Sequence, residues 1–560
     1  MSHEELEPSA APRAPHNKEK YLYLRRHPWL IVPLSCISFV SVMISSARFL
    51  NTNRWMWWLM PYLAFTILYF FVSLAVNLYY GGFNLKRHKR LVEHWAPYAR
   101  AAGIDIFLPT SGEPLTTLMN TWNGVAALRQ VHIDGGGSVS VYVLDDAART
   151  GVKTLAHFYG FRYSTRPDRG WFKKAGNLRH GYRITQPLGH QFVAIFDADF
   201  RPRTDFFREL LPYFFNDYRM GLVQSPQYFD VHHAQTWLQR GAGAVQEFFY
   251  RYSQVARDKH DAAICVGTNA VYRRMALDAT GGTALIEHSE DVHTGFNMRM
   301  HGWHLRYVPL ILAKGVCPDT MEAFFKQQYR WCMGSMSLLG SGKFWRTGMK
   351  LRQRLCYFTG FFYYIHTAVS LFVGPVVPLL LLTIIPQEVL ASNYLLLIPA
   401  FAYVFVIFPL WHKADYGSEA WSVKHIYSWA HLFALVDVIR RRPMGWSPTG
   451  ATSHKKNNWR YRLFRVEQIV LSFIPNLAWV LLAALRVGLW REYVFLPLLL
   501  SGLFVLLTTG RVAFYRQPSA EKQQSYADAT GDPTGKLVRV EWGRDESFYD
   551  AWPGILPELE

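Results

Sequence analysis

Residues 192–199 read FVAIFDAD. Five consecutive apolar residues suit a buried strand, and two carboxylates one residue apart, Asp197 and Asp199, close it. In open α/β sheets ligands gather at the carboxyl ends of strands. A carboxylate pair at this spacing can share a hard, oxygen-seeking cation such as Mg2+ or Mn2+, whose other ligands are diphosphate oxygens. A DxD tripeptide alone serves equally well as a helix cap or a solvated loop, so its surroundings decide.

Two more buried-strand patterns precede it. Residues 104–110 (IDIFLPT) run into SGEP with Glu113, and residues 141–144 (VYVL) run into Asp145-Asp146. Between these and the DAD triplet stands KKAGN at 173–177, with Lys174; beyond it come HSED at 288–291, with Asp291, and QQYRW at 327–331, with Gln327, Arg330 and Trp331. Short apolar strands alternating with mixed helices across 81–354 predict a soluble α/β domain.

The ordered set of strand-end DD, KAGN, DAD, SED and QxxRW resembles glycosyltransferase family 2, in particular its processive, cellulose-synthase-like branch. FLPTSGEP at 107–114, VQSPQYF at 223–229 and GTNAVYRR at 267–274 extend the likeness over about residues 100–345. The resemblance implies an α/β GT-A-type nucleotide-sugar domain inserted between transmembrane helices. It implies a UDP-sugar donor held by Glu113, Asp145, Asp146 and Lys174, a divalent metal on Asp197 and Asp199, and a catalytic base at Asp291. Arg330 suits a diphosphate oxygen and Trp331 the terminal sugar of a growing polysaccharide. Two departures stand out. Ser111 occupies the place where cellulose synthases typically carry a tyrosine near the uracil, and SED replaces TED while keeping the carboxylate.

Outward from this domain the chain becomes strongly apolar. A membrane helix needs about 20 apolar residues. Residues 29–47 and 55–80 supply two such runs before the domain, and 361–385, 394–411, 469–485 and 493–509 supply four after it. This predicts a cytoplasmic tail over 1–28, read as flexible, two transmembrane helices within 29–80, the domain over 81–354, four transmembrane helices within 355–515 and a cytoplasmic tail over 516–560. Trp421, Trp429, Leu432, Phe433, Val436 and Ile439 recur near the helical period before Arg440–Arg442, which predicts an interfacial amphipathic helix. The following GWSPTG at 445–450 resembles in position the gating loop of cellulose synthases, through Trp446 and Thr449, although a plain turn satisfies it equally. A PilZ domain binding cyclic di-GMP is not expected in the tail.

Charge supports the same layout. The 560 residues, half of them hydrophobic, carry 60 Lys and Arg against 41 Asp and Glu, a formal net charge of +19. The basic residues cluster beside apolar runs (Lys18, Lys20, Arg25 and Arg26; Lys86, Arg87, Lys89 and Arg90; Arg346, Lys350, Arg352 and Arg354). Such flanks mark a cytoplasmic membrane face rather than a nucleic-acid groove. The five cysteines show no CxxC pair or zinc spacing, and the first residues show no cleavable signal pattern. The function expected is therefore a plasma-membrane, processive, inverting synthase making a β-glucan from a UDP-sugar, UDP-glucose first, with possible accessory export or cell-envelope subunits. A chitin-, hyaluronan- or mannan-type synthase, or a non-processive transferase loading a lipid, is the second reading. A transporter would need a polar intramembrane pathway, for which His366 and Asn476 are the few candidates.

Overall fold

The computed structural model describes residues 12–24, 28–52, 54–78, 82–186, 189–231, 235–412, 417–441 and 459–516. The Trp446–Thr449 loop and residues 517–560 lie outside this set.

The domain is built on a seven-stranded mixed sheet of β1 (Gly103–Thr110), β2 (Ser138–Asp145), β3 (Arg162–Ser164), β4 (Phe192–Ile195), β6 (Met220–Gln224), β8 (Ala270–Arg273) and β9 (His304–Tyr307) in the order β3-β2-β1-β4-β8-β6-β9. Strands β3, β2, β1 and β4 run parallel, whereas β8 is antiparallel to both β4 and β6. Parallel neighbours need a crossover, and the Leu115–Asp134 helix supplies it between β1 and β2. Strand β1 is buried on both faces, which is why IDIFLPT reads as continuous rather than alternating. Its register pairs Thr110 with Asp145 and Phe107 with Ile195, so the SGEP, DD and DAD segments leave the sheet on one edge. A second sheet of β5 (Phe200–Pro202), β7 (Tyr228–Phe229) and β10 (Ala313–Gly315), in the order β5-β10-β7, grows directly out of the DAD triplet.

Among the described residues six helices are long and apolar enough to cross a membrane: Leu30–Asn51, Arg54–Val76, Leu351–Thr383, Ala391–His412, Trp459–Gly488 and Tyr493–Ala513. They coincide with the six apolar runs of the sequence. Lys86, Arg87, Lys89, Arg90, Arg346, Lys350 and Arg352 stand exposed, as flanking charges should.

Three expectations change. Residues 12–24 are not a flexible tail. Lys20, 1% exposed, donates to Asp205 at 2.6 Å and to Glu209 at 2.8 Å, and Glu209 also takes a 2.6 Å bond from His88. Glu19 accepts from Lys314 on β10 at 2.8 Å, and Tyr23 is buried against Tyr250 and Tyr307. Lys20 is thus an internal counter-ion, not a membrane-flanking charge, because two buried carboxylates need a cation.

The helix at Glu419–Arg440 exists, but its buried residues are Glu419, Ser422, Val423, Ile426, Ser428, Trp429, Ala430, His431, Ala434 and Asp437. Of the predicted apolar face Trp429 is buried, while Ile439 is 81% exposed. The helix is sandwiched between the domain and the spans. Gly241 admits it, since a Cβ there would meet Val423 Cγ1 at 2.5 Å, and Tyr329 donates to Asp437 at 2.7 Å. The glycine at that crossing allows the close approach. The third change, the place of Asp145, belongs to the site.

Candidate active site

A cleft opens along the carboxyl edge of β1, β2 and β4. Its walls include Ser111, Glu113, Asp146, Lys174, Asp197, Asp199, Asp291, Gln327, Arg330 and Trp331. Residues up to about 220 apart in sequence therefore meet in one place, and all but one of the predicted site residues are among them.

Each is held by local structure. Glu113 Oε2 accepts from Thr110 Oγ1 at 2.8 Å and from the Ser111 amide at 2.7 Å, which fixes the SGEP turn. Asp146 is clamped by Arg166 through Nε at 2.7 Å and Nη2 at 2.9 Å. Asp145 is the exception. Its carboxylate, fully buried, accepts from the Ala147 and Arg149 amides at 3.0 and 2.7 Å and from Tyr163 Oη at 3.1 Å. It caps the turn after β2 and does not line the cleft. Consecutive side chains of an extended segment point to opposite sides, so a DD pair sends one carboxylate each way.

Lys174 lies in the first turn of the Lys173–Ile184 helix, entered through left-handed Phe172 and Lys173. Its Nζ lies 2.5 Å from Asp197 Oδ1, 3.1 Å from the Gly267 carbonyl and 3.9 Å from Glu290 Oε1. Burial opposes its charge, but the Asp197 and Glu290 carboxylates outweigh that and hold the ammonium above the ordinary lysine range. Asp199 goes the other way. Burial, and then the neighbouring charge of Asp197, push it up to about 7. Two half-buried carboxylates whose charges oppose each other are what a divalent cation relieves, so the residues present fit a metal.

Asp291 enters from the Glu290–Met300 helix, whose N-cap, Ser289, is left-handed. Burial, followed by the charge of Glu290, raises Asp291 to about 7. Gly267 backs it, since a Cβ there would stand 2.9 Å from Asp291 Cβ. The Met321–Leu339 helix brings Gln327, Arg330 and Trp331, and Gly334 lets it approach closely: a Cβ at 334 would fall 2.1 Å from Ser289 Cβ. Burial lowers Arg330 to about 10, which leaves it cationic at neutral pH.

The sequence reading assigned no role to several residues that build this site. Thr268 Oγ1 accepts from the Asp197 amide at 2.8 Å, so GTN ties DAD to the Asp291 side. Gln224 and Gln227 of QSPQ hold the 264–266 backbone at 2.7–3.0 Å. Phe200, Phe229, Asn177 and Glu290 complete the wall. All sit in the quoted motifs or beside DAD, but only the packing tells what each one touches. Among the described residues no group of three or more His, Cys, Asp or Glu side chains could hold a metal by itself.

Comparison with known proteins agrees with this geometry. The profile of glycosyl transferase family group 2 matches residues 192–410, a stretch that contains Asp197, Asp199, Asp291 and the Gln327–Trp331 segment. Cellulose synthase 1 catalytic subunit (UDP-forming) of Komagataeibacter xylinus is 32% identical over 275 residues, covering 48% of this chain and 36% of that protein. Cellulose synthase 2 of Novacetimonas hansenii is 30% identical over 312 residues, covering 54% of this chain and 19% of that protein. Residues 192–410 are thus similar to glycosyl transferase family group 2, and the chain is similar over about half its length to bacterial cellulose synthase catalytic subunits. The matched chain thus spans from a fifth to just over a third of the length of these relatives. Among solved structures, a mannosyltransferase from Pyrobaculum calidifontis in complex with GDP-Man and Mn2+ superposes on 68% of this chain and 99% of its own, at 16% identity and a TM-score of 0.43. A likeness that distant bears on neither the donor nor the metal. The Glu419–Arg440 helix packs on both Met321–Leu339 of the domain and the Leu351–Thr383 span.

Proposed function

We propose that this protein is a processive, inverting glycosyltransferase that polymerises a UDP-sugar, UDP-glucose first, into a β-glucan and passes the chain through its own spans. The observation that carries this reading is the convergence of Asp199, Asp291, Arg330 and Trp331 in one cleft whose wall helix is packed onto a helix that also packs on the Leu351–Thr383 span.

In this reading Glu113, Asp146 and Lys174 hold the nucleotide and its diphosphate. Asp197 and Asp199 would hold a divalent cation, Mg2+ or Mn2+, which when bound offsets charge developing on the departing diphosphate. Arg330 adds its fixed fork of donors to the same oxygens. Trp331 offers a flat apolar face to the terminal sugar of the acceptor. Asp291 takes the proton of the acceptor hydroxyl as that oxygen attacks the anomeric carbon. The bond from that carbon to the diphosphate oxygen breaks, UDP leaves, and the new linkage is inverted. The catalytic domain is assigned to the cytoplasmic side, where UDP-sugars are and where the exposed basic flanks belong.

The test supplies inverted membrane vesicles with labelled UDP-sugars one at a time plus Mg2+, then digests the product with linkage-specific glycanases. UDP-glucose should give polymer cleaved by a β-glucanase. Polymer from another UDP-sugar alone would move the assignment to that sugar, and no polymer from any of them would sink it. In intact cells, outside labelling should reach Gln387→Cys, between the third and fourth spans, and miss Tyr218→Cys on the domain surface; the reverse would overturn the topology.

A further inference from the structure

The Glu290–Met300 helix serves two cavities. Its first residues line the cleft, whereas His293, Phe296 and Asn297 line a second cavity of about 240 Å3 that shares no residue with the first.

The chemistry of the walls is one-sided. Arg179 and Lys343 line the cavity, together with the side chains of Asn297 and Ser341, and no carboxylate does. Arg179 is set by the Gly281-Gly282 turn, both in the left-handed region at φ +73° and +88°, and its Nη2 donates to the Gly281 carbonyl. A concave surface with one sign of charge concentrates counter-ions, and a guanidinium fork and an ammonium lining one cavity suit phosphate oxygens.

The position adds a source. Lys343 belongs to the short Gly342–Arg346 helix that directly precedes the Leu351–Thr383 span. Trp345 is 51% exposed there and Arg346 is exposed, as at a headgroup layer. Phe296, on the cavity wall, packs on Phe344 at 6.2 Å and on Tyr357 of the span at 6.0 Å between ring centroids. The wall is therefore in contact with the membrane helix on one side and continuous with the helix that presents Asp291 on the other.

We infer that this cavity is a phosphate site, filled by an anionic phospholipid headgroup or by free phosphate, and that its occupant bears on the helix presenting Asp291. A bound phosphate bridges Arg179, beside the 281–286 loop, to Lys343, beyond the Gln327–Trp331 helix. It thereby holds the Glu290–Met300 helix between them and favours chemistry over donor binding.

The test uses the full chain in nanodiscs and has a readout that does not require synthase activity. With UDP and Mg2+ saturating the cleft, inorganic phosphate is titrated calorimetrically in phosphatidylcholine discs, and native mass spectrometry scores retained phosphatidylglycerol in mixed discs. Arg179→Gln with Lys343→Gln should lower phosphate affinity or lipid retention about tenfold or more, since two charge-assisted contacts are lost. UDP affinity should stay unchanged and thereby report folding. Lipid retention without phosphate binding names the headgroup as the source, and phosphate binding in plain discs names the free ion. Synthesis per enzyme should rise several-fold with the ligand in the wild type and not in the double variant, with the donor KM unmoved. Absence of both phosphate binding and lipid retention, or equal binding by the double variant, overturns the site. Binding without any change in turnover overturns its link to Asp291.

Discussion

Lys174 Nζ lies 2.5 Å from Asp197 Oδ1, a salt bridge that joins the KAGN helix to the DAD triplet across the mouth of the cleft. Glu290 stands 3.9 Å from the same ammonium, so one cation serves carboxylates from two motifs. Lys174→Met should therefore weaken Mg2+-dependent UDP binding about tenfold or more, the loss of one charge-assisted contact. Calorimetry with UDP checks this; unchanged affinity in a folded variant would leave Lys174 a structural counter-ion.

Charge removal should separate Asp199 from Asp291. Asp199→Asn removes a metal ligand, so UDP binding and turnover should fall together. Asp291→Asn should keep UDP affinity while synthesis drops by roughly 10²–10⁴-fold, as general-base removal does. Equal loss of UDP binding in both variants would show that Asp291 is tied to the metal.

Asp291 titrates near 7 because burial, and then Glu290, disfavours its charge. A base must be ionised, so synthesis at saturating donor should be full above that value and fall as the pH drops through it, about tenfold per unit further down. Glu290 is raised as well, and the limb belongs to the pair. A bound divalent cation pulls the titration of Asp199 downward, so a limb that persists at saturating Mg2+ is that of Asp291 and Glu290. A flat rate from pH 8 to pH 6 would contradict the assignment.

Gly267 combines a φ of +74° with contact to Asp291, where an added Cβ would stand 3.0 Å from Oδ2. Gly267→Ala should strain the backbone by about 1–3 kcal/mol and displace the carboxylate. A shift on the order of 1 Å costs about 10²-fold in rate, so synthesis should drop by that much while UDP binding changes far less. A rate within twofold of wild type would show that the contact does not position the base.

Lys20 bridges the buried carboxylates Asp205 and Glu209, which Arg203 and His88 also contact. Lys20→Met leaves Asp205 with Arg203 and Glu209 with His88, and should destabilise the domain by about 1.5–3 kcal/mol, the loss of its charge-assisted contacts. The exposed neighbour Lys18→Met should fall within roughly 0.5 kcal/mol of wild type. Denaturant melts of the purified protein in detergent compare the two, and equal stabilities would return residues 12–24 to a loosely held tail.

What the sequence determined by itself is the part carried by period and local pattern. Six apolar runs of membrane length needed no partner to be read, because crossing a bilayer depends on each run's own composition. Strands β1, β2 and β4 were legible for a similar reason: buried parallel strands are continuous apolar runs, and the carboxylates just beyond them mark the ligand edge. What only the tertiary structure decided is direction and partnership. Asp145 and Asp146 are chemically identical neighbours, and the half-turn of extended backbone between them sends one into a turn and the other into the cleft. Lys20 reads as a membrane-flanking charge until Asp205, 185 residues away, is found beside it. The Glu419–Arg440 helix carries bulky apolar residues at helical period, yet of the six that mark its predicted face only Trp429 is buried, because the helix is pressed between two layers rather than laid on a surface. Sequence pattern records how a segment meets solvent or lipid; which side chain meets which across the fold is set by packing over long separations, and that is where the site was assembled.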